Sequence, residues 1–200
     1  MDHTQTMNVL LAVMAGLGLS AAAGFRVFVP LFVLAIAAKS DMVQLSESFL
    51  WLDSWPTLII LGTATAVEIA AYYVPWVDNL LDTIASPAAI IAGTLISASV
   101  LPEMDPGLHW TLAVIMGGAP AGIVQGTTVL TRGTSTATTA GVGNPIVSTA
   151  EVGGSLLLSI LAIVVPILVG ILVLALLYFC ISRLIRALRR RRNRQNGALA

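Results

Sequence analysis

Long apolar runs alternate with short polar segments along this chain, and the length of each run predicts how it lies in a membrane. The first run covers residues 8–38. At ~1.5 Å per residue, a straight helix of that length would far exceed a hydrocarbon core ~30 Å thick. The helix must therefore tilt strongly or break. We expect a break at residues 24–30, because Gly24 loosens the helix and Pro30 lacks a backbone donor.

The next stretches predict three further membrane spans. Residues 40–55 mix polar and aromatic side chains, which is typical of an interfacial loop or a short surface helix. Spans are then expected at 56–74, at 87–101 after an N-cap and proline at Ser86-Pro87, and at 109–130 with a kink at Pro120. The four tryptophans fall at the ends of these spans and suit an aromatic belt: Trp51, Trp55, Trp76 and Trp110.

A polar stretch, TRGTSTATTAGVGNP, occupies residues 131–145 between two apolar runs. Gly133, Gly141 and Gly143 lower helix stability, so we expect irregular backbone whose carbonyls and amides face a cavity. An ordinary cytoplasmic loop and a buried helix rich in threonine, alanine and glycine are the alternatives.

The apolar sequence after this stretch runs to Ile181, about 36 residues, which is too long for one untilted span and short for two. Asn144-Pro145 repeats the pattern of an N-cap followed by proline. We expect a partial-depth helix at 145–158 that leads into a full span containing Pro166.

Composition supports the membrane assignment. The chain is 57% apolar and 10% charged, with a mean hydropathy of +0.93, whereas soluble proteins carry about 25% charged residues. We predict an all-α, polytopic transmembrane helical bundle of five to six membrane segments with broken helices. Residues 1–182 form a single transmembrane domain with the lipid bilayer as its surroundings.

The distribution of charge predicts the orientation in the membrane. Seven of the ten basic residues lie in the last eighteen positions, although the net charge of the chain is zero. Because basic segments stay in the cytoplasm, residues 183–200 are predicted to be a cytoplasmic tail of a bacterial inner (plasma) membrane protein. Recognition of acidic lipid or nucleic acid by this tail is the weaker interpretation, and no nucleic-acid partner is expected.

Small residues recur with the same spacing in two of the predicted spans. Glycine and serine every fourth position form a groove that lets helices approach closely, and we interpret these residues as packing positions. They are Gly16, Ser20 and Gly24 in the first span, and Gly118, Gly122 and Gly126 in the fourth.

Charged residues follow both groups of small residues. Arg26 and then Glu68 follow the first group, and Arg132 and then Glu151 follow the second. We interpret this echo as an internal two-fold repeat with halves at about 8–101 and 109–181. If each half holds three membrane elements, the two halves have opposite orientations.

Three segments together resemble a known family: GLSAAAGFRVFVP near the start, a glutamate followed by YYVPWVDNLLDTIASPAA, and a late GNPIVSTAE. The chain resembles the bacterial membrane proteins grouped as the domain of unknown function 4126 family. The resemblance covers nearly the whole chain before the arginine tail. It implies a membrane protein and carries no established activity.

The buried charges are the strongest candidates for chemistry. A charge at bilayer depth costs ~3 kcal/mol or more, so Arg26, Glu68 and Glu151 need partners or a water-filled cavity. Each glutamate lies in a polar stripe at helical spacing. One stripe holds Thr65, Glu68 and Tyr72, and the other holds Ser148, Glu151, Ser155 and Ser159.

These charges allow two interpretations of similar weight. The glutamates either neutralise Arg26 and Arg132 and lock helices together, or they exchange protons or coordinate a cation. For Arg26 alone, satisfying helix-end carbonyls at the break is favoured. The candidate substrate- or ion-binding residues are Glu68, Glu151, Arg26, Thr65, Thr138, Thr139, Asn144 and Ser148.

Known catalytic and cofactor motifs are missing from the sequence. It contains no Walker loop, Rossmann fingerprint, HExxH, CxxC or Ser/His/Asp set, and Cys180 is a single cysteine. We therefore expect no enzymatic activity, no cofactor and no metal. The leading hypothesis is a secondary transporter or channel for a small ion or polar solute.

Two other classes of function compete with transport. One is a non-transporting structural or interaction protein, assembled through the small-residue grooves as a homodimer or other homo-oligomer. The other is a protein that binds a lipid or isoprenoid, with Arg26 or Arg132 near an anionic head group.

Overall fold

The computed structural model describes residues 3–74 and 77–197. Within the helices, the side chains at 4, 5, 78, 79, 184 and 187–197 are not among the described ones. The predicted positions of Trp76 and of the tail arginines at 189–194 therefore lie outside the described residues and side chains. The helices are α1 (His3–Ala23), α2 (Phe28–Lys39), α3 (Trp55–Ala71), α4 (Val77–Val100), α5 (Pro106–Ala113), α6 (Ala119–Thr139), α7 (Asn144–Val164) and α8 (Pro166–Gly197).

The predicted all-α membrane fold is confirmed. Among the described residues, five helical segments are long and apolar enough to cross a membrane: Thr6–Ala23, Leu80–Val100, Pro106–Thr139, Asn144–Val164 and Pro166–Arg183. A 3₁₀ helix (Glu47–Asp53) and α3 together make a sixth candidate, bent by 67°. The predicted number of five to six membrane segments therefore agrees with the structure.

One end of the bundle holds a cavity of about 490 Å³, and its lining residues define the course of the chain. Asn8 near the start of α1 and Met42 just after α2 both line it. Val100 at the end of α4, and Ile163 and Pro166 at the junction of α7 and α8, line it as well. We call this the cavity end. α1, α5 and α8 lead away from it, whereas α2, α4 and α7 lead toward it.

The first apolar run breaks where predicted, and the chain then folds back on itself, which was not predicted. α1 ends at Ala23, residues 24–27 form a break, and α2 returns to the cavity end. Carbonyls at the end of α1 accept hydrogen bonds from within the break, including Gly24 N to Ala21 O at 3.1 Å. The two helices therefore form a hairpin whose tip lies inside the bundle.

Small residues bring α4 close to both α1 and α5–α6. Ser20 Oγ donates to the carbonyl of Gly93 at 2.9 Å. A Cβ on Gly16 would lie 2.7 Å from Val100 Cγ2, and Gly117 faces the backbone of Gly93. Close backbone approach of this kind is how helices pack in a membrane. The predicted packing role of Gly16 and Ser20 is met on α4.

The remaining predicted packing positions differ in their surroundings. A Cβ on Gly24 would lie 2.5 Å from Ala121 O, and Gly118 and Gly122 lie against Ile90. Among the described residues, no atom would lie within 4 Å of a Cβ on Gly126. α1 and α6 both lead away from the cavity end, so the two helices that carry the glycine groups have the same orientation. The predicted inverted repeat is not confirmed.

The third predicted span is longer than expected. α4 begins at Val77, so Ser86-Pro87 does not start a helix and Pro87 lies inside one. A helix over 87–101 would be too short to cross ~30 Å of hydrocarbon, whereas Val77–Val100 is long enough. Proline is tolerated inside a transmembrane helix where hydroxyl side chains, neighbouring helices and local backbone adjustments satisfy the freed carbonyl.

The fourth predicted span is also extended, and its irregularity comes just before Pro120. A π-helical turn, Val114–Gly118, joins α5 to α6, and Pro120 lies in the first turn of α6. The π-helical turn ends just before this proline, and Ala119 N donates to Val114 O in the wider hydrogen-bond pattern of that turn. The irregular segment therefore lies just before the position of the predicted kink.

Most of the polar stretch at 131–145 is helical, contrary to the expectation of irregular backbone. α6 continues to Thr139, and only Ala140–Gly143 form a turn, with φ of 51° at Ala140 and 87° at Gly141. Threonine hydroxyls along α6 donate to carbonyls one turn earlier, such as Thr134 to Leu130 at 2.8 Å. These bonds keep the polar side chains satisfied within a helix.

The last apolar run divides at a different point from the one predicted. α7 extends to Val164, so it is not a partial-depth helix, and Pro166 starts α8 instead of lying within it. The ring of a proline clashes with the residue before it and disfavours helical backbone angles there. Val165, which precedes Pro166, accordingly has φ −133° and ψ 60°. The N-cap of α7 is Gly143, while the Asn144 amide donates to Thr136 Oγ1 at 3.2 Å.

Candidate functional site

Glu68 on α3 satisfies the first backbone donors of α2. Its Oε1 accepts from Val27 N at 2.8 Å, and its Oε2 accepts from Phe28 N at 3.0 Å. The N-cap residue of α2, Val27, has no side chain that can accept these bonds. A carboxylate at a helix N-terminus also interacts favourably with the helix dipole. Glu68 thus stabilises the tip of the α1–α2 hairpin from a neighbouring helix.

Ser155 on α7 holds the other side of the break. Its hydroxyl donates to the carbonyl of Ala22 at 3.0 Å, near the end of α1. The carbonyls at a helix C-terminus have no partner within the helix, so this bond stabilises the point where α1 stops. The break is therefore held by α3 at the start of α2 and by α7 at the end of α1.

Glu151 on α7 binds two arginines that come from different parts of the chain. Arg26, in the break, places Nη2 3.2 Å from Glu151 Oε2. Arg132, on α6, donates from Nε to Oε1 at 3.1 Å and from Nη2 to Oε2. Arg26 is 1% exposed, Arg132 3% and Glu151 5%, so the three charges lie in the protein interior.

Ser148, one turn before Glu151, provides two further acceptors. Its carbonyl accepts from Arg26 Nη2 at 3.2 Å, and its hydroxyl accepts from Arg132 Nη2 at 3.1 Å. The predicted polar face of α7 is confirmed, because Ser148, Glu151, Ser155 and Ser159 are all buried. Regular helical spacing places all four on the side that meets the hairpin tip.

Tyr72 and Asp82 complete the group, although neither was among the predicted binding residues. The Cζ atoms of Arg26 and Arg132 lie 3.7 Å and 4.3 Å from the centroid of the Tyr72 ring. Asp82 Oδ1, on α4, lies 3.6 Å from Arg132 Nε. We call Arg26, Glu68, Tyr72, Asp82, Arg132, Ser148 and Glu151 the charge cluster.

Several buried donors of the charge cluster have no acceptor among the described residues. These are Nε and Nη1 of Arg26 and Nη1 of Arg132. Thr65 Oγ1, on the same face of α3 as Glu68, is also buried without a partner among the described residues. Buried polar groups in native proteins are nearly always hydrogen-bonded, so donors of this kind indicate a place for an acceptor.

Four of the predicted binding residues are not members of the charge cluster: Thr65, which lies one helical turn from Glu68, and three residues that lie elsewhere. Thr138 and Thr139 are exposed near the end of α6, where their hydroxyls donate to Thr134 O and Ser135 O. Asn144 is buried but interacts with Thr136. The structure therefore brings Arg26, Glu68, Thr65, Ser148 and Glu151 into one region and leaves these three residues elsewhere.

The sequence held a signal for one of the two additional residues. Tyr72 follows Glu68 by one helical turn, so it shares the polar stripe of Thr65 and Glu68. Asp82 lies in WVDNLLDTIAS, which has the composition of a connection and not of a span. Only the helical backbone of α4 places this aspartate beside Arg132.

Comparison with known proteins yields a family and no characterised relative. No curated protein and no solved structure matches the chain at a significant level. A family model described as "Domain of unknown function (DUF4126)" matches residues 13–186, which include both glutamates, both arginines of the charge cluster and the break. The chain therefore belongs to the DUF4126 family of proteins with a domain of unknown function.

Proposed function

We propose that this integral membrane protein is a secondary transporter or channel for a small ion or polar solute, and that the charge cluster is its site. The observation that carries the proposal is the pair of buried arginines that share Glu151 while three of their nitrogens lack an acceptor among the described residues. Ionisable groups within a membrane protein are costly and mark ion or solute pathways.

The location of the cluster supports the same function. Arg26 lies in a helix break at the tip of the α1–α2 hairpin, and broken helices at membrane depth are where transporters hold their substrates. Glu68 binds the backbone at this tip, so a change in its charge would act directly on the position of α2. In the proposed mechanism Glu151 is the exchangeable carboxylate. Glu68 connects the surroundings of Glu151 to the α1–α2 hairpin.

We further propose that the C-terminus faces the cytoplasm of a bacterial cell. Seven arginines lie in residues 183–200, and basic segments remain on the cytoplasmic side of the inner membrane. α8 begins at the cavity end. A crossing by α8 would then place the cavity end, together with the start of α1, on the periplasmic side.

Flux into proteoliposomes tests the transport proposal. Purified protein is reconstituted with a pH-sensitive dye inside, and gradients of protons, sodium, chloride and phosphate are applied in turn. We expect at least one protein-dependent flux that Glu151→Gln reduces at least ~10-fold, because the exchangeable charge is lost. Glu103→Gln, in an exposed loop at the cavity end, is the matched control. Transport is rejected if no gradient produces a protein-dependent flux, and the assignment of Glu151 to the site is rejected if Glu151→Gln transports like wild type.

A structural role for the cluster is the second candidate. It is favoured by the fact that every carboxylate oxygen of Glu68 and Glu151 already accepts a hydrogen bond. In that case the charges only join α3, α6 and α7 to the hairpin, and the protein assembles as a homo-oligomer or interacts with another membrane protein. Loss of thermal stability in charge-cluster variants, together with no flux in any gradient, would support this candidate.

A further inference from the structure

We propose that the charge cluster binds an oxyanion, a phosphate or carboxylate group, between Arg26 and Arg132. This inference names the chemical class of the solute in the proposed function. Only the statement that the anion is transported rests on that function. Binding itself depends on the arginine geometry alone. The same phosphate chemistry is offered by a free anion and by a lipid head group.

The free hydrogen-bonding capacity at the site consists of donors. Arg26 Nε carries one N–H, and Nη1 of Arg26 and of Arg132 carry two each, none of them with an acceptor among the described residues. Both guanidinium groups lie against one tyrosine ring and meet at one oxygen of Glu151, so these donors belong to a single site. A group with several acceptor oxygens satisfies such donors best.

The acceptors at the site are already in use. Glu68 accepts two backbone bonds at the start of α2, and Glu151 accepts two bonds from Arg132 and forms an ion pair with Arg26. A cation would find no unoccupied carboxylate oxygen on either glutamate and would face the arginine charges. The arrangement therefore favours an acceptor of negative charge over a metal ion or an ammonium group.

Glu151 competes with an external oxyanion for the two arginines. Its carboxylate binds the same two guanidinium groups that an external oxyanion would bind. Asp82 and Glu68 add further negative charge on neighbouring helices. Substitution of Glu151 by a neutral residue should consequently favour anion binding, because the arginines then keep fewer carboxylate partners.

The Tyr72 ring forms one side of the proposed anion site. Its ring lies against both guanidinium groups, at 3.7 Å and 4.3 Å from their Cζ atoms. A cation–π contact uses the face of the ring as its partner, so it leaves the N–H donors of both arginines available for an acceptor.

Binding to the full-length protein in lipid nanodiscs tests the inference. Inorganic phosphate is titrated by calorimetry into protein held in phosphatidylcholine discs, which contain no anionic lipid. In a second arm, native mass spectrometry measures whether phosphatidylglycerol is retained in preference to phosphatidylcholine. We expect wild type to bind one of these two probes, phosphate if the source is a free anion and phosphatidylglycerol if it is a lipid.

Three variants distinguish binding at the two arginines from unspecific electrostatic attraction to the protein. Arg132→Lys keeps the charge but loses the guanidinium fork, and we expect it to weaken binding of that probe at least ~10-fold. Glu151→Gln removes the competing charge and should strengthen binding by a similar factor. Arg186→Gln, on the exposed face of α8, is the matched control and should bind like wild type.

Thermal unfolding in the same discs shows which variants are folded. The inference is overturned if folded wild type binds neither probe, or if folded Arg132→Lys and Glu151→Gln both bind as wild type does. Anion binding without flux in any gradient would reject the transport proposal and keep the oxyanion site. Flux without binding of either probe would reject the oxyanion site and keep the transport proposal.

Discussion

Arg26 and Glu151 lie 3.2 Å apart in the interior of the bundle, although one belongs to the first helix break and the other to α7. Glu151 is also the partner of Arg132, so a single carboxylate balances two buried guanidinium groups. Removing one partner of a buried ion pair leaves a charge without compensation, which typically costs about 3 to 5 kcal/mol.

Glu151→Ala should therefore be the most destabilising single change in the cluster. We expect a loss of about 3 kcal/mol or more, because both arginines lose their shared partner. Thermal unfolding in detergent measures the effect. Glu103→Ala, in an exposed loop, is the control. Equal melting temperatures for the two variants would show that the ion pairs do not stabilise the fold.

Glu68→Ala should loosen the start of α2 without affecting the cavity end. The backbone N–H groups of Val27 and Phe28 lose their acceptor, and such losses cost about 1 to 2 kcal/mol for a helix cap. Hydrogen exchange measured by mass spectrometry should be faster in peptides that cover residues 24–30. Unchanged exchange there would contradict the capping role of Glu68.

Gly24→Ala and Gly126→Ala are matched substitutions at two of the predicted helix-packing positions. A Cβ at Gly24 would lie 2.5 Å from Ala121 O, so α1 and α6 must move apart, at a cost of about 1 to 3 kcal/mol. A Cβ at Gly126 meets nothing within 4 Å among the described residues. We expect a lower melting temperature for Gly24→Ala only. A loss of similar size at Gly126 would indicate an additional partner for that face of α6.

The course of the chain predicts which positions share a side of the membrane. In a Cys180→Ser background, single cysteines replace Asn8, Asp41 or Val142, which are all exposed. A membrane-impermeant maleimide should label Asn8→Cys and Asp41→Cys from one side and Val142→Cys from the other. Labelling of the first two from opposite sides would mean that α1 and α2 do not form a returning hairpin.

The sequence was sufficient to predict the elements that have strong local signals. The Gly24 break and the polar face of α7 both follow from residue type and spacing, and both occur in the structure. The hydrophobic lengths also indicated a helical membrane protein with five to six membrane segments. In each of these cases the decisive physics acts within one helix or at one helix end.

Features that depend on neighbouring helices were not predictable in this way. Pro87 and the threonines of α6 have residue types that favour helix ends or irregular backbone, yet span length and internal hydroxyl bonds keep them helical. Asp82 gains its role only from Arg132 on another helix. The pairing of Glu68 with backbone donors, instead of with an arginine, likewise depends on where α3 lies against the hairpin.

The position of Arg26 in the chain has a consequence for biosynthesis. Its hydrogen-bond partner Ser148 follows 122 residues later, and the shared carboxylate of Glu151 later still. A ribosome that has just completed the α1–α2 hairpin has not yet translated the groups that neutralise its tip. Glu151 can therefore neutralise Arg26 only after α7 has been synthesised, when α8 alone remains to be added to the bundle.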